Sequence, residues 1–319
     1  MNHLRRAVIV GITGQDGTLL ARNLHEEGYN VIGISSTCMT VNGKLLSSFS
    51  VCNEEDVKNL IADYQPSAVY YFAAYHASSE QKEEGSLPRS YQQYHIPHVV
   101  GPLNFLSAIY SLGSDCKFFY ASSSLIYDGS LGPLQDEKTP PTPVGYYGIT
   151  KLQGMHLCKY FRETHSIHAS SGIMYTHESA LRKPHFLSKK LIHAAHNIAL
   201  GQQDFITLGN LNAQNDWGYA ADFVKASEMI INLDHPDDYI IATGELHTVK
   251  EFADIVFNCF NLKASTHIHE DSKLLRRLSP PKAGDFSKIR QLCGWKPTLP
   301  FRFMVEKLVD DYLKMIHHG

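Results

Sequence analysis

The chain has 319 residues, 43% apolar and 19% charged, and its 29 Lys and Arg against 32 Asp and Glu leave a formal net charge of −3. That balance gives no electrostatic case for nucleic acid or an anionic membrane, and the length allows a large core in one or two closely joined domains. The 18 histidines lie scattered without ligand spacing, so no metal is expected; the six cysteines form no CxxC and no apolar run approaches a membrane span, so a cytoplasmic protein with reduced thiols is expected.

In chain order, AVIV (7–10) reads as a first strand that follows MNHLRR directly, and glycines then lead into the helical pattern TLLARNLHEEGY. VIGI (31–34) reads as a second strand. NEEDVKNLIADY carries its acids early, as a helix start prefers, and runs into the strand AVYYF (68–72). PLNFLSAIYSLG is helical, CKFFYAS (116–122) a strand, YGITKLQGMHLCKYFRETH a long helix, and SSGIMY (170–175) the next strand. Continuous apolar strands alternating with amphipathic helices predict an α/β fold, a doubly wound parallel sheet of the Rossmann kind, covered on both faces. After Tyr175 the alternation weakens, which predicts a smaller C-terminal substrate-binding lobe. The expected division is 1–175 with 216–243 for the nucleotide-binding domain, and 176–215 with 244–319 for the lobe.

GITGQDG places Gly11, Gly14 and Gly17 between the first strand and its helix. A tight glycine turn lets backbone N–H groups at a helix N-terminus approach a pyrophosphate, so this segment, with Gln15 and Asp16, is expected to hold a dinucleotide. After the second strand, an acid would select NAD and an arginine NADP. Ser35, Ser36 and Thr37 stand there instead, and the sequence leaves the choice open.

Tyr147 and Lys151 are one helical turn apart, just after the hydroxyl row Ser122, Ser123 and Ser124. An unperturbed phenol has a pKa of about 10, so lowering it by roughly three units requires about 4 kcal/mol of extra phenolate stabilisation. A lysine one turn away and a nicotinamide cation could supply that by charge, while a strand-end hydroxyl shares the substrate oxygen. The pattern predicts a proton-transfer pair, Tyr147 and Lys151, with one of the three serines.

GITGQDG, the hydroxyl row and YGITK together resemble the extended short-chain dehydrogenase/reductases that modify nucleotide sugars. HESALRK (177–183), SKKLIHAAHNIALG (188–201), LGNLNAQNDWGYAADFVKA (208–226), DDYIIATGELHTVKEF (237–252) and LCGWKP (292–297) resemble the GDP-mannose 4,6-dehydratases over nearly the whole chain. The resemblance implies that Tyr147 is the catalytic tyrosine, that Lys151 binds the cofactor ribose, and that Ala73, Ala74, Tyr75, His177 and Arg182 line an NAD or NADP site. It further implies Ser123 as the hydroxyl on the sugar C4 oxygen. Ser124, Thr176, Glu178, Lys189, Lys190, Asn210 and Arg277 become candidates for the substrate, expected to be a GDP-linked sugar. Relatives of this kind pair through the YxxxK helix, implying a homodimer or homotetramer. Asp216 and Trp217 fit the family's DWG turn.

Departures from the pattern matter equally. Aligned on Tyr127, the family's glutamate is Leu125 here, Ser35 and Ser36 replace an arginine pair, Val51 and Cys52 replace an Asp-Leu pair, and Asn215 replaces an arginine. Elimination of water across C5–C6 needs a base and an acid, and leucine is neither. Asp128 lies three positions beyond. The expectation is therefore a 4-keto reductase or an epimerase, with a dehydratase of unusual acid–base and a non-catalytic cofactor-binding member as alternatives.

Overall fold

The computed structural model describes residues 5–76, 86–130, 132–275 and 280–318. In chain order they form β1 (Arg6–Val10), α1 (Gln15–Glu26), β2 (Asn30–Ile34), β3 (Cys38–Val41), β4 (Lys44–Ser48), α2 (Glu54–Tyr64) and β5 (Ala68–Tyr71). A long helix follows in three parts, α3 (Leu87–His95), a π-helical turn (Ile96–Val100) and α4 (Gly101–Ser111). Next come β6 (Lys117–Ser123), a 3-10 turn (Ser124–Tyr127), β7 (Leu134–Gln135), α5 (Tyr146–His165), β8 (Ala169–Met174) and β9 (Thr176–Glu178). The remainder includes α6 (Leu187–Ala199), β10 (Ile206–Leu208), β11 (Gln214–Asn215), β12 (Trp217–Tyr219), α7 (Ala220–Ile231) and β13 (Asp238–Ile241).

Among the described residues eight strands form one sheet in the order β13-β8-β6-β5-β1-β2-β3-β4. Pairing is parallel from β13 through β2 and antiparallel only for the β2-β3-β4 edge. Strand order reverses beside β1, between β2 and β5, which is where such folds open a ligand crevice at the carboxyl strand ends. The central strands are buried on both faces: Val8, Ile9, Val69, Tyr71, Phe118, Phe119 and Ile240 are fully or almost fully enclosed. This is the doubly wound arrangement that the continuous apolar runs predict, because helices on both sides leave no polar face.

The β3–β4 hairpin turns at Asn42-Gly43, both with positive φ, and adds an edge to which the sequence reading assigns no element. A second apolar cluster packs α6 against the helices Val249–Cys259 and Phe301–His318 through Leu191, Phe252, Phe257, Val305 and Leu308. Trp217 joins that cluster, 5.4 Å from Phe252. Asp216 is buried beside it and accepts from Thr243 N and Oγ1, Gly244 N and Gly284 N at 2.6–3.2 Å. The DWG turn is thus a fastener between the lobe and the sheet. No helix among the described residues is long and apolar enough to cross a membrane.

Candidate active site

The glycine turn lies at the crevice. Gly11 has φ +93°, and a Cβ there would come within 2.8 Å of Ala73 N, so the turn and the end of β5 run in backbone contact. A Cβ on Gly17 would strike the Gly11 carbonyl. Helix α1 begins at Gly14 with no side-chain cap. The first N–H groups of a helix are then available to an anion, and the close-packed glycines leave room for one. These features fit a dinucleotide diphosphate.

Gln15 and Asp16, on the first turn of α1, hold the opposite wall. Gln15 donates to His177 O (3.2 Å) and accepts from Ser179 Oγ (2.7 Å). His177 Nε2 lies 3.1 Å from both Asp16 oxygens, its Nδ1 2.7 Å from Tyr175 O, and its ring stacks on Phe223 at 4.7 Å. Burial lowers the histidine's basicity, but the Asp16 charge and hydrogen bond outweigh it and raise the His177 pKa. For Asp16, burial pushes up and the His177 and Arg182 charges win, holding it below the ordinary value. Arg182 donates Nε to Glu178 (3.0 Å), which also accepts from Ser188 Oγ, and its guanidinium lies 4.2 Å over Phe186.

Just after β2, Ser35 Oγ turns inward to Cys38, 3.2 Å from both its N and its O, while Ser36 is exposed. Neither carboxylate nor guanidinium follows β2.

The chemical centre forms where β6 meets α5. Lys151 is buried, and its Nζ donates to Ala121 O at 2.7 Å. It sits 5.0 Å from the Tyr120 ring and 5.8 Å from the Tyr147 ring. Burial pulls its pKa from 10.5 to about 7, with Asp16 pulling weakly the other way. Tyr147 is half-buried and meets rings edge-on: His76 at 4.7 Å, His98 at 5.1 Å and Tyr94 at 6.3 Å. Ser123 ends β6 with partial exposure and accepts from Leu125 N (3.2 Å), leaving its O–H proton to donate; Ser122 and Ser124 are buried. Leu125 is half-buried on the 3-10 turn, its carbonyl so close to Gly148 that a Cβ there would strike it.

Asp128 is buried with Lys282 as an ion pair, its carboxylate facing the ammonium. Thr176 sits on β9, paired with Trp217. Lys189 donates to Ala180 O (2.7 Å) and lies 4.6 Å over Tyr312. Asn210 accepts from Asn212 N (2.9 Å), and Lys190 is half-buried on α6. Arg277 lies outside the described residues. The sequence reading did not single out His98 or Thr150; only the fold brings His98 to Tyr147.

A glycine-lined crevice at the strand ends, with a tyrosine–lysine pair on the adjoining helix, defines a dinucleotide-binding enzyme fold of the short-chain dehydrogenase type. The GDP-mannose 4,6-dehydratase family model matches residues 8–308, and the chain belongs to that family. It is 32% identical to GDP-mannose 4,6 dehydratase 1 of Arabidopsis thaliana, over 97% of this chain and 90% of that protein. It is also 32% identical to the GDP-mannose 4,6-dehydratase of Sinorhizobium fredii, over 99% of both. Among solved structures, RMD from Pseudomonas aeruginosa complexed with NADPH superposes with a TM-score of 0.80 at 18% identity, covering 97% of this chain and 99% of that one. UDP-glucose 4-epimerase from Thermotoga maritima gives 0.81 at 19%, covering 98% and 99%. At these identities the two structures share the fold.

Proposed function

We propose that this chain moves hydride at C4 of a nucleotide-linked sugar, GDP-linked by its family, without eliminating water, as a 4-keto reductase or an epimerase passing through a keto intermediate. NAD or NADP, when bound, supplies the hydride exchange. The glycine turn and the α1 N-terminus hold the diphosphate, and Lys151 orients the ribose. In oxidation Tyr147 takes the C4 hydroxyl proton, and in reduction it returns it. Ser123 donates its hydrogen bond to the same oxygen, and Lys151 favours the phenolate by charge.

This reading is supported by the alignment of Leu125 with the family's glutamate that the resemblance implies, and by the engagement of described acids elsewhere: Asp128 with Lys282, Glu178 with Arg182 and Ser188, Asp16 with His177. The test is to offer a GDP-4-keto-6-deoxy sugar with NADH or NADPH and follow cofactor absorbance. Consumption that Tyr147→Phe abolishes supports the proposal, and no turnover of any 4-keto substrate overturns its reductase branch.

A second reading, dehydration, draws on the whole-length family match and on His76, a titratable ring 4.7 Å from Tyr147. GDP-mannose converted to a product lighter by one water would establish it.

A further inference from the structure

The end of β2 bears on the choice between NAD and NADP. There the glycine turn is bonded to the strand itself: Gly11 N and Ile12 N both donate to Ile34 O, at 2.7 and 3.2 Å. In doubly wound folds the group that reads the ribose 2′ position stands about 20 residues beyond the glycine turn, and Ser35 stands at that distance from Gly14. The chain does not run on into a long loop here. It doubles back at once into β3, with Ile34 opposite Met39 and Gly33 opposite Thr40.

The connection, Ser35–Cys38, is closed by its own polar groups. Ser35 N donates to Cys38 O (2.9 Å), Cys38 N donates to Ser35 Oγ (3.2 Å), and the same hydroxyl lies 3.2 Å from Cys38 O. Phe49 N donates to Thr37 O (3.2 Å) and braces the turn from the end of β4. Ser35 is therefore spent on the turn, and the side chains left at its tip are the exposed hydroxyls of Ser36 and Thr37.

The charges along these segments disfavour a phosphate at that tip. The hairpin carries one cation, Lys44. It pairs with Val41 at the far end of β3, about 10 Å from Cys38 along the strand. The glycine turn and α1 bring none before Arg22, about 12 Å along the helix from Gly14. The chain leaving β4 instead enters α2 with Glu54, Glu55 and Asp56 in its first turn. A ribose 2′-hydroxyl is neutral and is satisfied by hydroxyl partners. A 2′-phosphate carries a charge of about −1.5 to −2 at neutral pH and needs the charge-assisted bonds that a guanidinium or ammonium supplies.

We propose that the chain selects NAD(H) over NADP(H): the closed Ser35–Cys38 turn presents the Ser36 and Thr37 hydroxyls to the ribose 2′ position, which suits a hydroxyl and gives a phosphate no counter-charge. This rests on reading the chain as a dinucleotide-dependent enzyme, and it is a property of binding alone.

Binding to the purified full chain is measured by titration with NADH and with NADPH, following dihydronicotinamide fluorescence with no sugar substrate present. NADH is expected to bind about tenfold more tightly or better, the worth of one bond to a charged group. The Ser36 side chain takes no part in the bonds that close the turn, so Ser36→Arg places a guanidinium at the tip without opening it. NADPH binding is then expected to tighten about tenfold, and the gain to fade at high salt. Wild-type affinity for NADPH equal to or above that for NADH overturns the proposal. So does an unchanged NADPH affinity in Ser36→Arg, which would put the 2′ position away from this turn. Failure of the underlying reading has a different signature: neither dinucleotide would bind wild type or variant.

Discussion

Lys151 is a fully buried lysine, and the cost of burying it can be measured. Burial shifts its protonation from 10.5 to about 7, which corresponds to about 5 kcal/mol against the charged form. In the unfolded chain the ammonium titrates near 10.5 and is fully charged at neutral pH. Between about 7 and 10.5 the unfolded state therefore binds more protons, and native stability must rise with pH across that window. Replacing Lys151 with Met keeps length and volume and removes the charge. It also strands the Ala121 carbonyl, a loss of about 1–3 kcal/mol. The net gain for Lys151→Met near pH 7 is then about 2–4 kcal/mol, or roughly 3–6 °C in Tm for a chain of this size. The penalty relieved by the substitution shrinks as pH rises, so the two stability curves cross near pH ~9. Thermal unfolding of both proteins without added cofactor, from pH 7 to 9.5, tests this directly. A variant less stable than wild type at pH 7, or a difference that does not vary with pH, would refute the reasoning. The same substitution should abolish turnover, a trade of stability for chemistry.

Tyr147→Phe is expected to retain cofactor binding, measured by fluorescence titration, while turnover falls by about 10²–10⁴, the usual contribution of one positioned proton-transfer group. Asp128→Asn leaves the Lys282 ammonium buried without its counter-charge and should cost about 3–5 kcal/mol in denaturant unfolding; because Asp128 takes no part in the proposed proton transfer, kcat should not change. The Asp16–His177 pair stabilises most between the unfolded carboxylate and imidazole values. The raised His177 pKa makes its contribution full below about pH 6.5 and lost as pH rises through the folded value, while the lowered Asp16 pKa makes its contribution present above about pH 3.9 and lost as pH falls through its own. The stability advantage of wild type over Asp16→Asn should therefore be largest near pH 5.5, about 2 kcal/mol, and shrink by pH 8.5.

The parallel sheet was legible because each central strand, such as Val69–Tyr71 or Phe118–Tyr120, is a continuous apolar run with a helix on each side. The phosphate turn was legible because its glycines answer a local steric demand at Gly11 and Gly17. The hairpin Cys38–Ser48 was missed although its signal was present: Asn42-Gly43 is the dipeptide that a two-residue turn with positive φ favours. Its strands are short and β4 is exposed throughout, so the hydrophobic alternation that marks a strand is absent. The burial of His98 against α5 could not be read from its neighbours in sequence. It depends on Pro97 and Pro102, on Gly154, and on a tyrosine hydroxyl 22 positions away, and these meet only once the π turn packs on α5. The Asp128–Lys282 pair spans 154 positions, beyond any local pattern.

The distribution of acids around the crevice constrains the chemistry more than any single residue does. A carboxylate that acts as acid–base must be able to lose its proton and regain it without dismantling the fold. Glu178 anchors Arg182 and Ser188, Asp16 anchors His177, Asp128 anchors Lys282, and Asp216 receives four donors that join the lobe to the sheet. Each of these carboxylates is already engaged in bonds that hold two elements together. Among the described residues, the groups packed together there that can exchange protons are a phenol, the buried ammonium beside it, and the histidine rings on the phenol. Such a set suits the movement of one proton at an oxygen while hydride moves at the adjoining carbon. It suits removal of a carbon-bound proton poorly unless an imidazole serves as the base, which makes His76, 4.7 Å from the Tyr147 ring, the side chain on which the second reading stands or falls.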